Sequence, residues 1–235
     1  MWNLPKMLKA DIRFQYLHGF YYAYLFMVTV YILLLHASPQ QFIEPLTILV
    51  VFTDPTVLGC FFIGGIVLLE KSQNVYGPLF MTSLQVKTFI ASKVLSLSVI
   101  SLVSSLAILI FVHKVEFQFA PILAGVVLSS IVFTLIGFLL AVRVQTVNQF
   151  LLASPLVITV FFLPVVIIFD WWDSVLLKLL PSYAGILLIQ GAFQSISWGE
   201  VVYAIITLVV WSFVLFLLAV KSFINHVLEK GEGNS

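Results

Sequence analysis

The stretch VLSLSVISLVSSLAILIFV, residues 94–112, contains no charged residue, no proline and no glycine. A helix of about 20 mostly apolar residues crosses the hydrocarbon core of a bilayer, where it satisfies its own backbone hydrogen bonds. The stretch therefore predicts a transmembrane helix.

The composition of the whole chain agrees with this prediction. Of its 235 residues 62% are hydrophobic and only 9% are charged, and the mean hydropathy is +1.16. In soluble domains roughly a quarter of the residues are charged. A soluble domain of this length could not bury so much apolar surface. We expect one all-α integral membrane domain over residues 1–235, embedded in the lipid bilayer. The net charge of +1 gives no indication of a nucleic-acid partner.

Six segments have the length and hydropathy of membrane spans. The second is interrupted by Asp54-Pro55. Because Asp is a preferred N-cap and Pro a preferred first helical residue, we expect that span to begin at Asp54, with 47–52 as a short element near the outer interface. One helix from Leu46, kinked at Pro55, is the alternative. The six predicted spans are residues 20–35, 54–69, 94–112, 122–142, 150–169 and 201–220.

The segment 171–199, between the last two spans, is partly apolar, but Pro181 and Gly185 break it into pieces too short to cross. Two short half-inserted helices fit this pattern better than a seventh span. An aromatic and acidic cluster at the end of the fifth span indicates an interfacial anchor, with a substrate gate as the alternative. The cluster consists of Asp170, Trp171, Trp172 and Asp173.

The basic residues predict the orientation, because Lys and Arg are enriched on the cytoplasmic side of membrane proteins. With the N-terminus inside, nine of the eleven basic residues are cytoplasmic, and two, Lys114 and Lys178, are outside. We therefore expect a multi-pass protein of the cell membrane. Both termini, including a tail at 221–235, are predicted to be cytoplasmic.

The N-terminal segment 1–18 has an amphipathic pattern. Lys6, Lys9 and Arg13 form one stripe of a helix, with mainly apolar residues opposite. This pattern is typical of a helix that lies in the plane of the membrane interface. Asp11 and Gln15 interrupt the apolar side, so a solvated arm is the alternative.

Small polar residues recur along two spans. Ser98, Ser101 and Ser105 share one face of the third, and Ser129, Ser130, Thr134 and Gly137 lie along the fourth. Small residues let helices approach closely in lipid, which favours a packing role. A polar lining for a transport path is the alternative.

The sequence contains no motif of an energised or catalytic site. It has no G-x-x-x-x-G-K-[ST] loop, no H-E-x-x-H pair and no G-x-S-x-G elbow. A single cysteine, Cys60, excludes a cysteine-rich metal site. We expect no catalytic residue, no metal and no cofactor. Every acidic residue near a span, Asp54 included, falls at a predicted span end, so a transport path would suit an apolar or amphipathic cargo and take its energy from a partner.

The most specific stretch follows the second span: FFIGGIVLLEKSQNVYGPLFMTS, residues 61–83, and then ASKV, residues 91–94. It resembles the type-2 ABC exporter permeases, which have a second span ending in Glu, a short amphipathic coupling segment, a Thr-Pro dipeptide and a Gly/Ala-x-Lys entry into the third span. Glu70, Thr82 and Lys93 match that pattern. Ser83 replaces the proline, and Gly77-Pro78 makes the coupling segment less helical than the family pattern.

The resemblance implies a permease of drug-export type that works as a pair with a second copy or a related permease, above two ATP-binding cassette ATPase subunits. It implies that residues 70–93 form the coupling segment and that the loop after the fourth span is a secondary contact. The residues implied in coupling are Glu70, Gln73, Asn74, Val75, Tyr76, Gly77, Leu79 and Thr82, and those of the secondary loop are Arg143, Gln145 and Asn148.

Glu70 allows two interpretations. Either it marks the water line, or it anchors the coupling segment by accepting backbone hydrogen bonds or by pairing with a base such as Arg13 or Lys93. Lys71, its neighbour, could also satisfy the carboxylate.

Two other functions remain open from the sequence. An intramembrane enzyme should have paired catalytic groups at membrane depth. A non-transporting assembly or signalling partner would have the same topology without an ATPase.

Overall fold

The computed structural model describes residues 3–54, 58–81, 84–114, 117–169 and 174–228. Over this part the chain is a bundle of helices without strands. In chain order they are α1 Leu4–Leu17, α2 Phe20–Ala37, α3 Gln40–Thr53, α4 Gly59–Ser72, α5 Tyr76–Phe80, α6 Val86–His113, α7 Phe119–Arg143, α8 Val147–Phe162, α9 Val175–Lys178, α10 Pro181–Gln190 and α11 Trp198–Phe223. A 3-10 helix, Leu163–Phe169, continues α8, and a π-helical turn, Ile224–Leu228, continues α11.

Within the described residues, five helices are long and apolar enough to cross a membrane: α2, α6, α7, α8 with part of its 3-10 extension, and α11. The fold is therefore that of an all-α multi-pass membrane protein. We call the end that holds α1, α5 and residues 143–148 the coupling end, because the predicted coupling residues lie there. The opposite end, where α6 ends and α7 begins, is the distal end.

The second crossing differs from the expectation, because two shorter helices, α3 and α4, replace the single span 54–69. Asp54 has helical dihedral angles (φ −57°, ψ −58°), and its N–H donates to the Val50 carbonyl, so it extends α3. A residue that caps a helix start has non-helical angles, and the prediction that Asp54 starts the span is wrong. Residues 47–52 do not form a separate short element, because they are part of α3, and most of their side chains are buried inside the bundle. The alternative kink site, Pro55, lies outside the described residues.

Helix α1 packs along the coupling-end half of α6. Its buried side chains are Met7, Asp11 and Gln15, one face at a spacing of four residues. Lys6, Lys9 and Arg13 are exposed. The solvated arm is wrong, because the segment is a helix packed on α6, and its position in the plane of the membrane interface stays a prediction. Gly19, at φ +80°, joins α1 to α2 in a left-handed conformation that favours glycine.

The small residues on α7 allow close helix packing. A Cβ on Gly137 would lie 2.5 Å from the Cys60 carbonyl oxygen on α4, and one on Gly185 of α10 would lie 2.3 Å from Ser129 Oγ. A Cβ on Gly125 would lie 3.0 Å from Leu188 Cβ, also on α10. Helix α7 therefore holds both α4 and α10 at backbone-contact distance, as small residues do in lipid.

The segment between the last two spans contains two short helices, α9 and α10. Eight of the ten residues of α10 are buried, against α3, α7 and α11. Two side chains of α11 satisfy backbone carbonyls at the turn before α10: the Tyr203 hydroxyl donates to Lys178 O, and Trp211 Nε1 donates to Leu179 O at 3.3 Å. The aromatic and acidic cluster predicted as an anchor, residues 170–173, lies outside the described residues.

The C-terminal segment is more ordered than expected. Residues 221–228, predicted as part of a cytoplasmic tail, continue α11 through Phe223 and the π-helical turn, and Phe223 is fully buried. Likewise α6 begins at Val86, so the last third of the predicted coupling segment 70–93 is already helix.

Candidate functional site

Three charged side chains from three helices meet inside the coupling end. Lys93 Nζ on α6 lies 2.6 Å from Glu70 Oε1 on α4 and 3.0 Å from Asp11 Oδ1 on α1. Lys93 is only 1% exposed. Of the bases proposed for Glu70, the structure therefore pairs it with Lys93, whereas Arg13 is exposed.

Asp11 and Gln15 interrupt the apolar side of α1 in the sequence. In the structure their side chains attach α1 to α6. Asp11 Oδ2 accepts a hydrogen bond from Ser92 Oγ, and Gln15 Nε2 donates to Ser96 Oγ at 2.7 Å. Side chains four residues apart on α1 thus meet side chains four residues apart on α6. A buried charge is tolerated only where it is paired and hydrogen-bonded, and Lys93 meets both conditions.

Tyr76, on the short helix α5, also contacts the cluster. Its hydroxyl lies 3.0 Å from Val67 O and 3.3 Å from Glu70 Oε2. Burial, and then the neighbouring Glu70 carboxylate, raise the pKa of Tyr76 above its ordinary value. The phenol therefore remains a hydrogen-bond donor at physiological pH.

An aromatic cluster holds α5 against two long helices. The rings of Tyr76 and Phe80 lie 5.3 Å and 5.4 Å from the ring of Phe223 on α11, and 5.8 Å and 5.5 Å from the ring of Phe89 on α6. Lys93 Nζ lies 4.7 Å above the Phe89 ring, within cation–π distance. The sequence analysis did not identify Phe89 or Phe223. The i, i+4 spacing of Phe89 and Lys93 is a signal that could have identified the first.

The predicted coupling residues divide into an outer and an inner set. Gln73, Asn74 and Gly77 are exposed, whereas Val75 and Leu79 are partly buried and Glu70 and Tyr76 are buried. Asn74, at φ 51°, makes the turn between α4 and α5. Thr82 lies outside the described residues.

The predicted secondary loop lies at the same end of the bundle. Arg143, Gln145 and Asn148 are exposed. Lys71 Nζ donates to the Val144 carbonyl at 2.9 Å, which connects the end of α4 to this loop. The base beside Glu70 thus binds a neighbouring loop and leaves Glu70 to Lys93.

The membrane-length helices, together with the turn and helix 73–81 held against them at the coupling end, define a polytopic membrane protein of the permease class. The fluoroquinolones export permease protein family matches residues 3–231, and the chain belongs to that family. Fluoroquinolones export permease proteins of Mycobacterium tuberculosis, from strains CDC 1551 and H37Rv, are 26% identical over 233 residues, which cover 98% of this chain and 98% of each relative. The chain is accordingly a permease subunit of an ABC-type exporter, a class that works with an ATPase in general.

Proposed function

We propose that this permease forms the translocation path for an apolar or amphipathic substrate and that separate ATP-binding cassette subunits power it from the coupling end. A second copy of this chain, or a related permease, completes the path. The named relatives export fluoroquinolones, and a cargo of that amphipathic, aromatic kind agrees with the apolar composition of the bundle.

One observation carries the proposal: the turn and helix at 73–81 are fastened on their inner side and uncovered on their outer side. The inner side is held by the Glu70–Lys93–Asp11 cluster and by the aromatic contacts of Tyr76 and Phe80. The outer side presents Gln73, Asn74 and Gly77, and Met81 is 91% exposed. When a partner presses on such a segment, the movement is transmitted to the helices to which the segment is attached.

Two sets of contacts would transmit such a movement. The ion cluster connects α4 and α5 to α1 and α6, and the aromatic cluster connects α5 to α11. Lys71 adds a connection to the loop at 143–148. Closure of the ATPase subunits would thereby tilt several helices together, which is a rigid-body switch. The residues we assign to this coupling are Glu70, Gln73, Asn74, Val75, Tyr76, Gly77, Leu79 and Thr82, with Arg143, Gln145 and Asn148 in the secondary loop.

The proposal requires the coupling end, and with it both termini, to face the cytoplasm. A photo-crosslinking amino acid placed at Gly77 tests the orientation and the partner together, in cells that coexpress the ATP-binding cassette subunit. Ser195, which is also exposed but lies near the distal end, is the matched control.

We expect a crosslink to the ATPase subunit from position 77 and none from position 195. The purified permease alone should not hydrolyse ATP, and the assembled complex should. A crosslink from position 195 only, or ATP hydrolysis by the permease alone, would contradict the proposal.

A further inference from the structure

A second acidic side chain, Asp54, is buried deep in the bundle. It is 0% exposed, and Ser104 Oγ on α6 donates a hydrogen bond to its Oδ2. Ser104 lies 11 residues after Lys93 and 9 residues before His113 on the same helix. At 1.5 Å per residue, Asp54 is therefore about 16 Å from the level of Lys93 and about 14 Å from the level of His113. It sits near the middle of a span, and not at an end as its sequence context suggested.

The charge of Asp54 has no compensation from the described residues. Its Oδ1 has no hydrogen-bond partner there, and it forms no ion pair with them. Residues 55–57, which follow it, lie outside the described part of the chain. A lone carboxylate in a low-dielectric site takes up either a proton or a cation, and ionisable groups at membrane depth are most often functional.

A cavity is lined by Ser104, the hydrogen-bond partner of this carboxylate, although Asp54 itself is not one of its lining residues. Its volume is about 250 Å³, and it lies between α2 and α6. Ser104 forms part of its wall, together with two aromatic rings, Tyr21 and Tyr24, and aliphatic side chains that include Val99 and Val103. The cavity thus has a mainly apolar and aromatic lining. The Ser104 hydroxyl in that lining is hydrogen-bonded to the Asp54 carboxylate.

The Ser104 hydroxyl can connect the cavity to Asp54. Its oxygen lies within hydrogen-bond distance of Asp54 Oδ2 and 3.0 Å from Ser101 O. A hydroxyl has one hydrogen and two acceptor lone pairs. When the hydrogen is given to Asp54, the oxygen is left able to accept a hydrogen bond from an N–H group inside the cavity.

We propose that Asp54 is the counter-ion for a cationic cargo, recognised through Ser104 in this cavity. The ligand class is an organic amine with an apolar or aromatic body. The volume fits the charged end of such a molecule, and Tyr21 and Tyr24 supply aromatic rings of the kind that stabilise a cation. This inference rests on the proposed function, since it names the substrate class of the same path.

The test compares two small probes of the same shape. N-phenylpiperazine carries a positive charge at neutral pH, and N-phenylmorpholine, in which oxygen replaces the distal nitrogen, does not. Dissociation constants are measured by ligand-observed NMR on the full chain in lipid nanodiscs. We expect the wild type to bind the cation at least about tenfold more tightly than the neutral probe, from the attraction between opposite charges.

Three variants locate the effect. Asp54→Asn keeps the size and the acceptor for Ser104, and it should reduce the affinity ratio to near one without weakening the neutral probe. Val103→Trp should abolish binding of both probes by filling the cavity. Val210→Trp, a change at an exposed valine on α11, should leave both affinities unchanged.

Equal affinities in the wild type, an unchanged ratio in Asp54→Asn, or equal loss of both probes in that variant would overturn the inference. Because the binding assay needs no ATPase, its result does not depend on whether the coupling proposal is right. A permease that binds the cation selectively but never crosslinks to an ATPase would refute the coupling proposal alone.

Discussion

Glu70 and Asp54 are both buried carboxylates, 7% and 0% exposed, yet their surroundings differ. Glu70 faces Lys93 at 2.6 Å and the Tyr76 hydroxyl, so it has both a basic and a hydroxyl partner, although it shares Lys93 with Asp11. Among the described residues, the Ser104 hydroxyl is the one hydrogen-bond partner of the Asp54 carboxylate. A buried charge that is paired and hydrogen-bonded fixes the relative positions of the helices that supply it. An uncompensated charge near a cavity is a candidate for binding something that the protein does not itself supply.

The largest effect should come from breaking the compensated cluster. Lys93→Met leaves two buried carboxylates facing each other without a cation, and loss of one partner from a buried ion pair costs about 3–5 kcal/mol. We expect a large fall in the thermal unfolding temperature of the chain in nanodiscs. Lys87→Met, at an exposed lysine on the same helix, is the control and should be nearly silent. Equal stability of the two variants would mean that the cluster does not fasten α1 and α4 to α6.

An intermediate effect is expected from Glu70→Gln. The amide can still accept a hydrogen bond from Lys93, and Asp11 still pairs with Lys93. The loss is therefore that of a charge-assisted bond, about 1.5–3 kcal/mol. The protein should insert normally, but substrate-stimulated ATP hydrolysis by the assembled complex should fall relative to basal hydrolysis.

The control for this measurement is Glu44→Gln, at the distal end, where the amide oxygen can still accept from Gln194 Nε2. Wild-type stimulation and transport in Glu70→Gln would leave Glu70 as a marker of the water line.

The smallest effect on stability should come from Asp54→Asn. This change removes an unmatched charge from the middle of the bundle and keeps the acceptor for Ser104. We expect the unfolding free energy to change by less than about 1 kcal/mol, or to increase. Thermal unfolding beside Glu70→Gln measures the contrast directly. A loss of stability as large as that of Glu70→Gln would show that Asp54 is compensated after all, and the comparison would fail.

The long helices and the Glu70–Lys93 pair were accessible to sequence reasoning for different reasons. Lipid imposes a minimum length and an apolar composition on a span, so the helices follow from local sequence. The motif places Lys93 23 residues after Glu70 and makes it one of the partners that the sequence allows, and the structure selects it.

The position of Asp54 could not be predicted in the same way. Asp followed by Pro has the local pattern of a helix start, and only the contact with Ser104, 50 residues later, shows that the side chain is buried. Asp11 was misjudged for a similar reason, because an acid on an apolar face reads as an interruption until its partner 82 residues away is known. Phe223 lay in a segment whose charged residues suggested a tail.

The glycine between α1 and α2 has a mechanical consequence. Helix α7 is the most buried of the membrane-length helices, whereas α2 lies at the edge of the bundle. Gly19 joins α2 to α1, which is fixed to α6 through Asp11 and Lys93. We therefore expect the angle between α1 and α2 to change most readily at Gly19. The width of the cavity beside Ser104, which lies between α2 and α6, would change with that angle.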